Sequence, residues 1–194
     1  MTGFDDHKEV KEMIFEKKTL LLRNGKECIL RPTAPDDSEE MIRYMKETAA
    51  ESPFLLRYPD EVQYTIEDEQ RILTQLMNDP HTVMMVAEVD GKIAGNCSVS
   101  GIGSKRKVRH RCSYAIALYD RFRGMGVGSA MTGYALELAR SIGYEQIELE
   151  VAEENDNGRN LYKKFGFAET GKIPDAMRYE DGTYVDLVLM SRKL

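Results

Sequence analysis

The chain has 194 residues, which is enough for one well-buried core, and this length favours a single domain. Its formal net charge of −6 argues against nucleic acid as the main partner. No apolar run approaches the length of a membrane span, and the polar, acidic start is unlike a signal peptide, so we expect a cytoplasmic protein without a membrane partner. The three cysteines are scattered through strand-like segments, so we expect them to be small buried hydrophobes and expect no metal.

The first half of the chain is predicted to hold two hairpins separated by two helices. Residues 1–17 are interpreted as a helical or frayed N-terminal extension. Asn24-Gly25 supplies the two positive φ values of a type I′ turn, which predicts a hairpin there. Helices are expected from the Asp36-Asp37-Ser38 region to Ala49 and from the Thr65 cap to Met77, with Ile66 and Leu73 on the buried face of the second. Asp90-Gly91 predicts the next hairpin turn, between strands 82–89 and 92–100.

The second half is predicted to contain a parallel crossover followed by a last hairpin, which turns at Asp181-Gly182. An alternating strand at 112–118 leads into a glycine-rich turn, and apolar residues at three-to-four spacing then predict a helix from Val127 to Ile142, ended by Gly143. A parallel strand follows at 145–151, then a short helix at 155–165. The fold class is therefore α+β, with one mixed central sheet flanked by helices on both faces.

The glycine-rich turn carries most of the chemical information. It reads Arg123-Gly124-Met125-Gly126-Val127-Gly128 and opens a helix, so its backbone N–H groups can converge on a phosphate. A Walker loop is excluded because no lysine precedes Ser129. A dinucleotide-binding dehydrogenase is disfavoured because Ser129 stands where the third glycine is needed.

This turn resembles the Arg/Gln-x-x-Gly-x-Gly loop with which the GCN5-related N-acetyltransferase (GNAT) family binds the pyrophosphate of acyl-CoA. A second stretch, Asn155 to Phe167, is similar to the same family's second signature through its Leu161-Tyr162 pair, although Gly158 stands where alanine is usual. The order of elements matches over roughly residues 27–192. The resemblance implies a GNAT-type acyl-CoA N-acyltransferase fold, with a single GNAT domain at 27–194 and an extension plus first hairpin strand at 1–26.

The resemblance also implies acetyl-CoA as the co-substrate and a set of residues that bind it. The strands 112–118 and 145–151 are expected to separate toward their C-terminal ends and admit the pantetheine arm. Asn155 is expected to contact pantetheine or the adjacent backbone, and the Tyr162 hydroxyl to face the thioester sulfur. The implied cofactor-binding residues are Ile116, Ala117, Leu118, Arg123, Gly124, Met125, Gly126, Val127, Gly128, Ser129, Asn155, Asn160 and Tyr162.

The implied reaction is direct transfer of the acetyl group to a primary amine of a small molecule or protein. An alkyl amine is neutral in only about one of 10³ to 10⁴ molecules at pH 7, so a general base should matter more than Tyr162 as the acid. Tyr162 is the candidate acid, and His110 or Glu51 is the candidate base. His110 could instead be a structural or exposed residue, and Glu51 a solvated loop charge. Glu148 and Glu150 are third choices.

Several alternatives stay open on the sequence alone. The chain could be a non-catalytic acyl-CoA-binding or sensing protein on the same fold. The basic residues between Lys105 and Arg111 are either a solvated loop or a contact for the adenosine 3′-phosphate. A homodimer could form along a sheet edge expected near residues 184–191. Neither the acceptor nor the acyl chain length can be read, although the net charge leans slightly toward cationic acceptors.

Overall fold

The computed structural model describes residues 15–194, so most of the predicted N-terminal extension, residues 1–14, lies outside the described residues. The described part contains eight strands and four helices. The strands are β1 (Lys18–Leu21), β2 (Glu27–Pro32), β3 (Thr82–Val89), β4 (Lys92–Gly101), β5 (Arg111–Leu118), β6 (Gln146–Ala152), β7 (Ala168–Arg178) and β8 (Tyr184–Lys193). The helices are α1 (Ser38–Glu51), α2 (Ile66–Met77), α3 (Val127–Ile142) and α4 (Asp156–Lys164).

All eight strands form one mixed sheet in the order β1-β2-β3-β4-β5-β6-β8-β7. Every neighbouring pair is antiparallel except β5 and β6, which are parallel and joined by α3. This arrangement confirms the α+β fold and the central crossover. Because β1 pairs with β2 in this sheet, residues 18–26 belong structurally to the same unit as the rest.

Helices cover both faces of the sheet. The consecutive β3 residues Met85, Val86 and Ala87 are all fully buried, and neighbouring strand residues point to opposite faces. Helix α3 packs against β3, β4 and β5, while α1 and α2 pack on each other and α2 also contacts β3. In the predicted apolar stripe of α3, Val127, Met131 and Ala135 are fully buried, whereas Leu138 and Ile142 are partly buried against the core. Gly143 ends the helix with φ +99°.

Two hairpin turns test the turn predictions in opposite ways. Asp90 and Gly91 have φ values of 53° and 71°, which confirms a turn with two left-handed residues. The type I′ prediction at Asn24-Gly25 is wrong, because only Gly25 has a positive φ. The Gly25 N–H donates to the Leu22 carbonyl, so the chain makes a tight turn one residue earlier and the loop between the strands is longer.

Three further expectations are settled by packing. Thr65 caps α2 by accepting a hydrogen bond from the Asp68 N–H, as predicted. Ile66, predicted on the buried face, is 43% exposed, whereas Leu73 of the same helix is fully buried. The sheet edge expected near residues 184–191 is also wrong: β8 pairs with strands on both sides, and β7 is the outer strand.

Candidate functional site

An opening between β5 and β6 organises the site. The two strands pair only over Arg111–Ser113 and Gln146–Glu148 and have no pairing beyond those residues. The Arg111 guanidinium donates to both carboxylate oxygens of Glu148, at 2.5 and 2.6 Å, and so reinforces the joined end. The parallel strands therefore separate toward their C-terminal ends, as expected.

The open edge of β5 is defined by the backbone direction of alternate residues. The Tyr119 N–H donates to the Ala94 carbonyl of β4, and the Ala117 carbonyl accepts a hydrogen bond from the Tyr44 hydroxyl at 2.7 Å. Because backbone groups alternate along a strand, those of Ile116 and Leu118 face the opening. Ala117 directs its carbonyl away from the opening, to the Tyr44 hydroxyl, and its role in cofactor binding stays a prediction.

The glycine-rich loop lies at the open end and leads directly into α3. Gly126 is the N-cap residue with φ +99°, a conformation that an L side chain rarely adopts. Among residues 15–194, the N–H groups from Gly124 to Ser129 donate to no backbone or side-chain acceptor. Six such donors at a helix N-terminus are chemically suited to an anion, because the helix dipole also favours negative charge there.

One of the predicted donors is not available. The Arg123 N–H donates to the Asp120 carbonyl at 3.0 Å and closes the short turn before the loop. The Arg123 side chain also pairs with the Asp120 carboxylate at 2.6 Å. The Arg123 N–H is thus occupied in this structure, and the N–H groups without a partner among residues 15–194 begin at Gly124.

Gly128 is the point at which three elements meet. A Cβ built there would lie 3.2 Å from a Leu118 methyl group and 3.4 Å from a Leu161 methyl group. The absence of a side chain lets β5, α3 and α4 approach closely, which fixes the loop relative to the opening. Beside it, Lys164 donates to the Ser129 hydroxyl at 3.3 Å.

Tyr162 projects from α4 and is almost fully buried, with only 7% of its surface exposed. Its ring packs edge-to-face on Tyr114 and Phe167, with centroids 6.3 and 5.9 Å away. Burial raises the pKa of Tyr162 to about 12, so the hydroxyl stays protonated at neutral pH. This hydroxyl makes no hydrogen bond to any residue from 15 to 194 and is not among the fully enclosed polar atoms, so it can donate to a group entering from outside.

Asn155 is the N-cap residue of α4, and Asn160 lies within the helix. The Asn155 side-chain oxygen Oδ1 accepts a hydrogen bond from the Gly158 N–H at 3.0 Å and caps the helix. A Cβ at position 158 would lie 2.9 Å from the Asn155 amide nitrogen, which explains why glycine fits there instead of alanine. Asn155 thus contacts the adjacent backbone, while Asn160 is exposed and its cofactor role stays a prediction.

The two predicted bases are placed at opposite ends of β5. Glu51, the last residue of α1, accepts a hydrogen bond from the Asp120 N–H at 2.8 Å. Asp120 lies shortly before the glycine-rich loop, which is called the phosphate loop from here on. His110 lies at the joined end, where its carbonyl accepts from the Glu145 and Gln146 amides. It precedes Tyr114 by four residues, or about 13 Å along a strand, so the structure does not bring His110 and the Tyr162 ring together.

The remaining carboxylates are mostly committed to structural contacts. Hydrogen bonding to Arg111 lowers the pKa of Glu148, so this residue is a poor proton acceptor. Glu61 accepts from the Tyr58 N–H at 2.7 Å and stabilises the loop after α1. Glu150 is exposed on β6. Neither Glu148 nor Glu150 contacts the Tyr162 hydroxyl in the described part of the chain.

A cavity of about 460 Å³ lies next to the open end of β6, between the segment after α1 and the β7–β8 hairpin. Ala152, at the end of β6, packs with Phe54 and Met177 from the two walls. The Tyr58 hydroxyl accepts a hydrogen bond from the Glu180 N–H and ties the walls together. The charged residues that line the cavity are Arg57, Arg178, Glu180 and Asp181.

Nothing in the sequence indicates that the β7–β8 hairpin forms one wall of this cavity. The hairpin residues from Ala176 to Asp181 reach the cavity only through tertiary packing. The only sequence signal was the hairpin turn at Asp181-Gly182, and nothing in it indicates which loop it faces.

Residues 15–194 contain neither a candidate metal cluster nor a candidate membrane-spanning helix. In the described part of the chain, no three His, Cys, Asp or Glu side chains are grouped so as to hold a metal ion. None of the helices between residues 15 and 194 is both long enough and apolar enough to cross a membrane.

This chain is similar in sequence and in fold to known N-acetyltransferases. L-amino acid N-acetyltransferase AaaT of Escherichia coli (strain K12) is 30% identical over 121 residues, which are 61% of this chain and 72% of the relative. A GNAT-family acetyltransferase from Streptococcus pneumoniae superimposes with a TM-score of 0.81 at 25% identity, covering 86% of this chain and 99% of that one. The yncA structure from Salmonella typhimurium, solved with acetyl-CoA, has a TM-score of 0.75 at 16% identity, covering 86% and 94%.

The matches to sequence relatives and to the family cover different shares of this chain. A Bacillus subtilis (strain 168) relative, 29% identical over 97 residues, matches 50% of this chain, and the chain spans 61% of that relative. The sequence profile of the family described as Acetyltransferase (GNAT) family matches residues 41–167, or 127 of the 194 residues. The loop from Gly124 to Ser129 and the α4 residue Tyr162 both lie within that match. The chain therefore belongs to the Acetyltransferase (GNAT) family.

Proposed function

We propose that this chain transfers the acetyl group of acetyl-CoA to a primary amine by direct attack within a ternary complex. The observation that supports this most is the opening between β5 and β6. At its mouth lie six amides that have no partner among residues 15–194, and a buried, protonated tyrosine lies beside it. The residues fit acetyl-CoA in their chemistry: the Gly124–Ser129 amides suit a diphosphate, and the free edge at Ile116 and Leu118 suits an extended amide chain.

The Tyr162 hydroxyl would donate a hydrogen bond to the sulfur of the departing thiolate. A thiol has a pKa near 8.5, well below the value of about 12 to which burial raises Tyr162, so the proton stays on the tyrosine and the released thiolate takes its proton from solvent. The hydroxyl therefore acts mainly as a hydrogen-bond donor to the developing negative charge. Its position between the rings of Tyr114 and Phe167 fixes its direction.

Glu51 is the better supported of the two bases. It is exposed, lies next to the phosphate loop and follows the cavity-lining residue Ala49 along α1. One of its oxygens holds the Asp120 N–H, which leaves the other for the acceptor ammonium or for a water that takes its proton. His110 is the alternative, and its distance from Tyr162 along β5 requires a relay through water.

The acceptor would enter through the 460 Å³ cavity. Two arginines, Arg57 and Arg178, and two carboxylates, Glu180 and Asp181, line it, so its walls suit an acceptor that carries both charges better than a polyamine. The E. coli relative is named for L-amino acids, which have this character. We therefore propose an amino acid or a peptide N-terminus as the acceptor class.

A thiol-release assay over a panel of amines tests the proposed function. The purified protein is incubated with acetyl-CoA and single L-amino acids, N-terminal peptides, polyamines or aminoglycosides, and CoA release is measured with and without each amine. We expect amine-dependent release that is highest for a zwitterionic acceptor.

The controls separate the possible readings of that assay. Glu51→Gln and His110→Gln, measured with the best acceptor, distinguish the two bases, because only the base variant should lose most of kcat. CoA binding without turnover on any amine would contradict the enzymatic proposal and support the non-catalytic acyl-CoA-binding alternative.

A further inference from the structure

The N-terminal part of the described chain is held along α3. Phe15 packs edge-to-face on Tyr134 of α3, with ring centroids 5.6 Å apart. The Tyr134 hydroxyl donates to the Glu16 carbonyl at 2.6 Å, and Lys18 pairs with Glu137 at 2.7 Å. These contacts lie in the middle of the helix. Residues 15–18 are thus attached to α3 before the hairpin begins.

The same segment then reaches the N-terminus of α3. Leu22 is buried at the end of β1, and the next residue, Arg23, donates its N–H to the Met125 carbonyl at 3.4 Å. The Arg23 Cγ lies 3.8 Å from the position that a Cβ would take at Gly126. The hairpin therefore places the Arg23 side chain against the centre of the phosphate loop.

The arginines within the loop region are already engaged. Arg123 pairs with Asp120, and the Arg121 guanidinium stacks on the Tyr119 ring, 3.9 Å from its centroid. Arg23 makes no side-chain hydrogen bond or ion pair with any residue from 15 to 194. Because the Arg23 side chain contacts the loop at Cγ, its guanidinium can reach the six amides that have no partner among residues 15–194. It would add positive charge to an already positive helix end, which favours binding of an anion between them.

We infer that Arg23 binds the diphosphate of acetyl-CoA, as a side-chain ligand that completes the backbone cradle. This rests on the proposed function and extends it to a residue outside the family match at 41–167. A planar guanidinium can contact two phosphate oxygens at once, which a point charge cannot do with the same geometry. The short segment from Phe15 to Arg23 would then serve to position this one side chain.

The test is a set of dissociation constants for three ligands that differ in their phosphates. Wild type, Arg23→Ala and Lys26→Ala are titrated with CoA, with dephospho-CoA, which lacks the 3′-phosphate, and with pantetheine, which lacks the diphosphate. Lys26 is the matched control because it removes the same charge from the same hairpin and pairs with Asp90, away from the loop. We expect Arg23→Ala to weaken CoA and dephospho-CoA equally, by about 10- to 100-fold, and to leave pantetheine unchanged.

Each other outcome overturns the inference in a recognisable way. Unchanged CoA affinity in Arg23→Ala removes the contact, and an equal loss in Lys26→Ala reduces it to a general effect of net charge. A loss for CoA but not for dephospho-CoA moves the contact to the 3′-phosphate. If Arg23→Ala does not fold, Arg23→Gln is measured in its place against the same expectation. Failure of wild type to bind CoA would instead refute the proposed function.

Discussion

At the scale of single residues, the site contains two side chains, Tyr162 and Glu51, that are held in place by neighbours. Each keeps one polar atom that has no partner in the described chain. The Tyr114 hydroxyl bonds to Thr132 at 3.0 Å, whereas the Tyr162 hydroxyl next to it bonds to nothing among residues 15–194. Glu51 uses one oxygen for the Asp120 amide. These two residues thus have both a fixed position and an unused donor or acceptor, which is what proton transfer requires.

The first prediction concerns the relative weight of acid and base. Tyr162→Phe should lower kcat by about tenfold, and Glu51→Gln by about 100-fold or more, because an ammonium must lose its proton before it can attack. Steady-state kinetics with the best acceptor provides the measurement. Tyr114→Phe is the matched control, since it removes a hydroxyl from the adjacent ring without changing the chemistry. A larger effect from Tyr162→Phe than from Glu51→Gln would reverse the proposed order.

The second prediction concerns the backbone of the phosphate loop. Gly126→Ala forces an L residue to φ +99° and should cost about 1–2 kcal/mol of stability. It should also weaken CoA binding by about tenfold or more, because relief of the strain turns the N–H groups away from the ligand. Gly182→Ala, at φ +88° in a distant turn with open space around it, should lose similar stability and keep its CoA affinity. Equal CoA affinities in the two variants would contradict the role of the loop.

At the scale of secondary-structure elements, a tyrosine lies between two strands of the sheet. The Tyr44 hydroxyl of α1 accepts from the Asn96 N–H of β4 at 3.1 Å and donates to the Ala117 carbonyl of β5 at 2.7 Å. Residues 96 and 117 are register partners, so the hydroxyl replaces a direct ladder bond. Burial raises the pKa of Tyr44 well above its usual value. This insertion is on the β4 side of the strand whose other edge faces the opening.

The third prediction follows from this bridge. Tyr44→Phe should lower the free energy of unfolding by about 1–3 kcal/mol, because it leaves a buried donor and a buried acceptor without a partner. Urea denaturation measures the change, with Tyr184→Phe, whose ring is 53% exposed, as the control expected to change little. A result for Tyr44→Phe indistinguishable from the control would mean that Asn96 and Ala117 pair directly once the hydroxyl is gone.

At the scale of the whole molecule, buried phenols and thiols are collected in one core. Burial raises the pKa of Cys28 to about 11 and that of Cys112, Tyr119 and Tyr144 to about 12. These groups sit on β2, on β5 and at the two ends of the crossover, and Tyr162 adds a fifth from α4. All of them are neutral in the folded chain under ordinary conditions.

The fourth prediction is loss of stability in alkaline solution. In every case the folded pKa lies above the unfolded values of about 9–10, so the unfolded chain releases protons that the folded chain retains. The stabilising effect is complete below about pH 9 and is lost as the pH rises through 12. The urea concentration at the unfolding midpoint, measured from pH 7 to 11, should decrease above about pH 9. Tyrosinate absorbance should increase with unfolding, and the chain has no tryptophan to overlap with it. A constant midpoint up to pH 11 would contradict it.

The sequence alone determined those features whose signals are local. The bounds of α3, its Gly143 end, the Asp90-Gly91 turn and the glycine-rich loop all follow from the φ preferences and spacing of neighbouring residues. The family resemblance, which rested on two such local motifs, added the parted strands and Tyr162 as the candidate acid. The same reliance on local signals produced the wrong type I′ prediction at Asn24-Gly25, where the observed turn begins one residue earlier.

Only the tertiary structure decided contacts between residues far apart in the chain. Glu51 reaches Asp120 across 69 positions and Tyr44 reaches Ala117 across 73, and neither pairing leaves a periodic signal. The β7–β8 wall of the cavity and the approach of Arg23 to Gly126 have the same origin. Local preferences choose helix, strand or turn, whereas the packing of whole elements selects which side chains meet at the site.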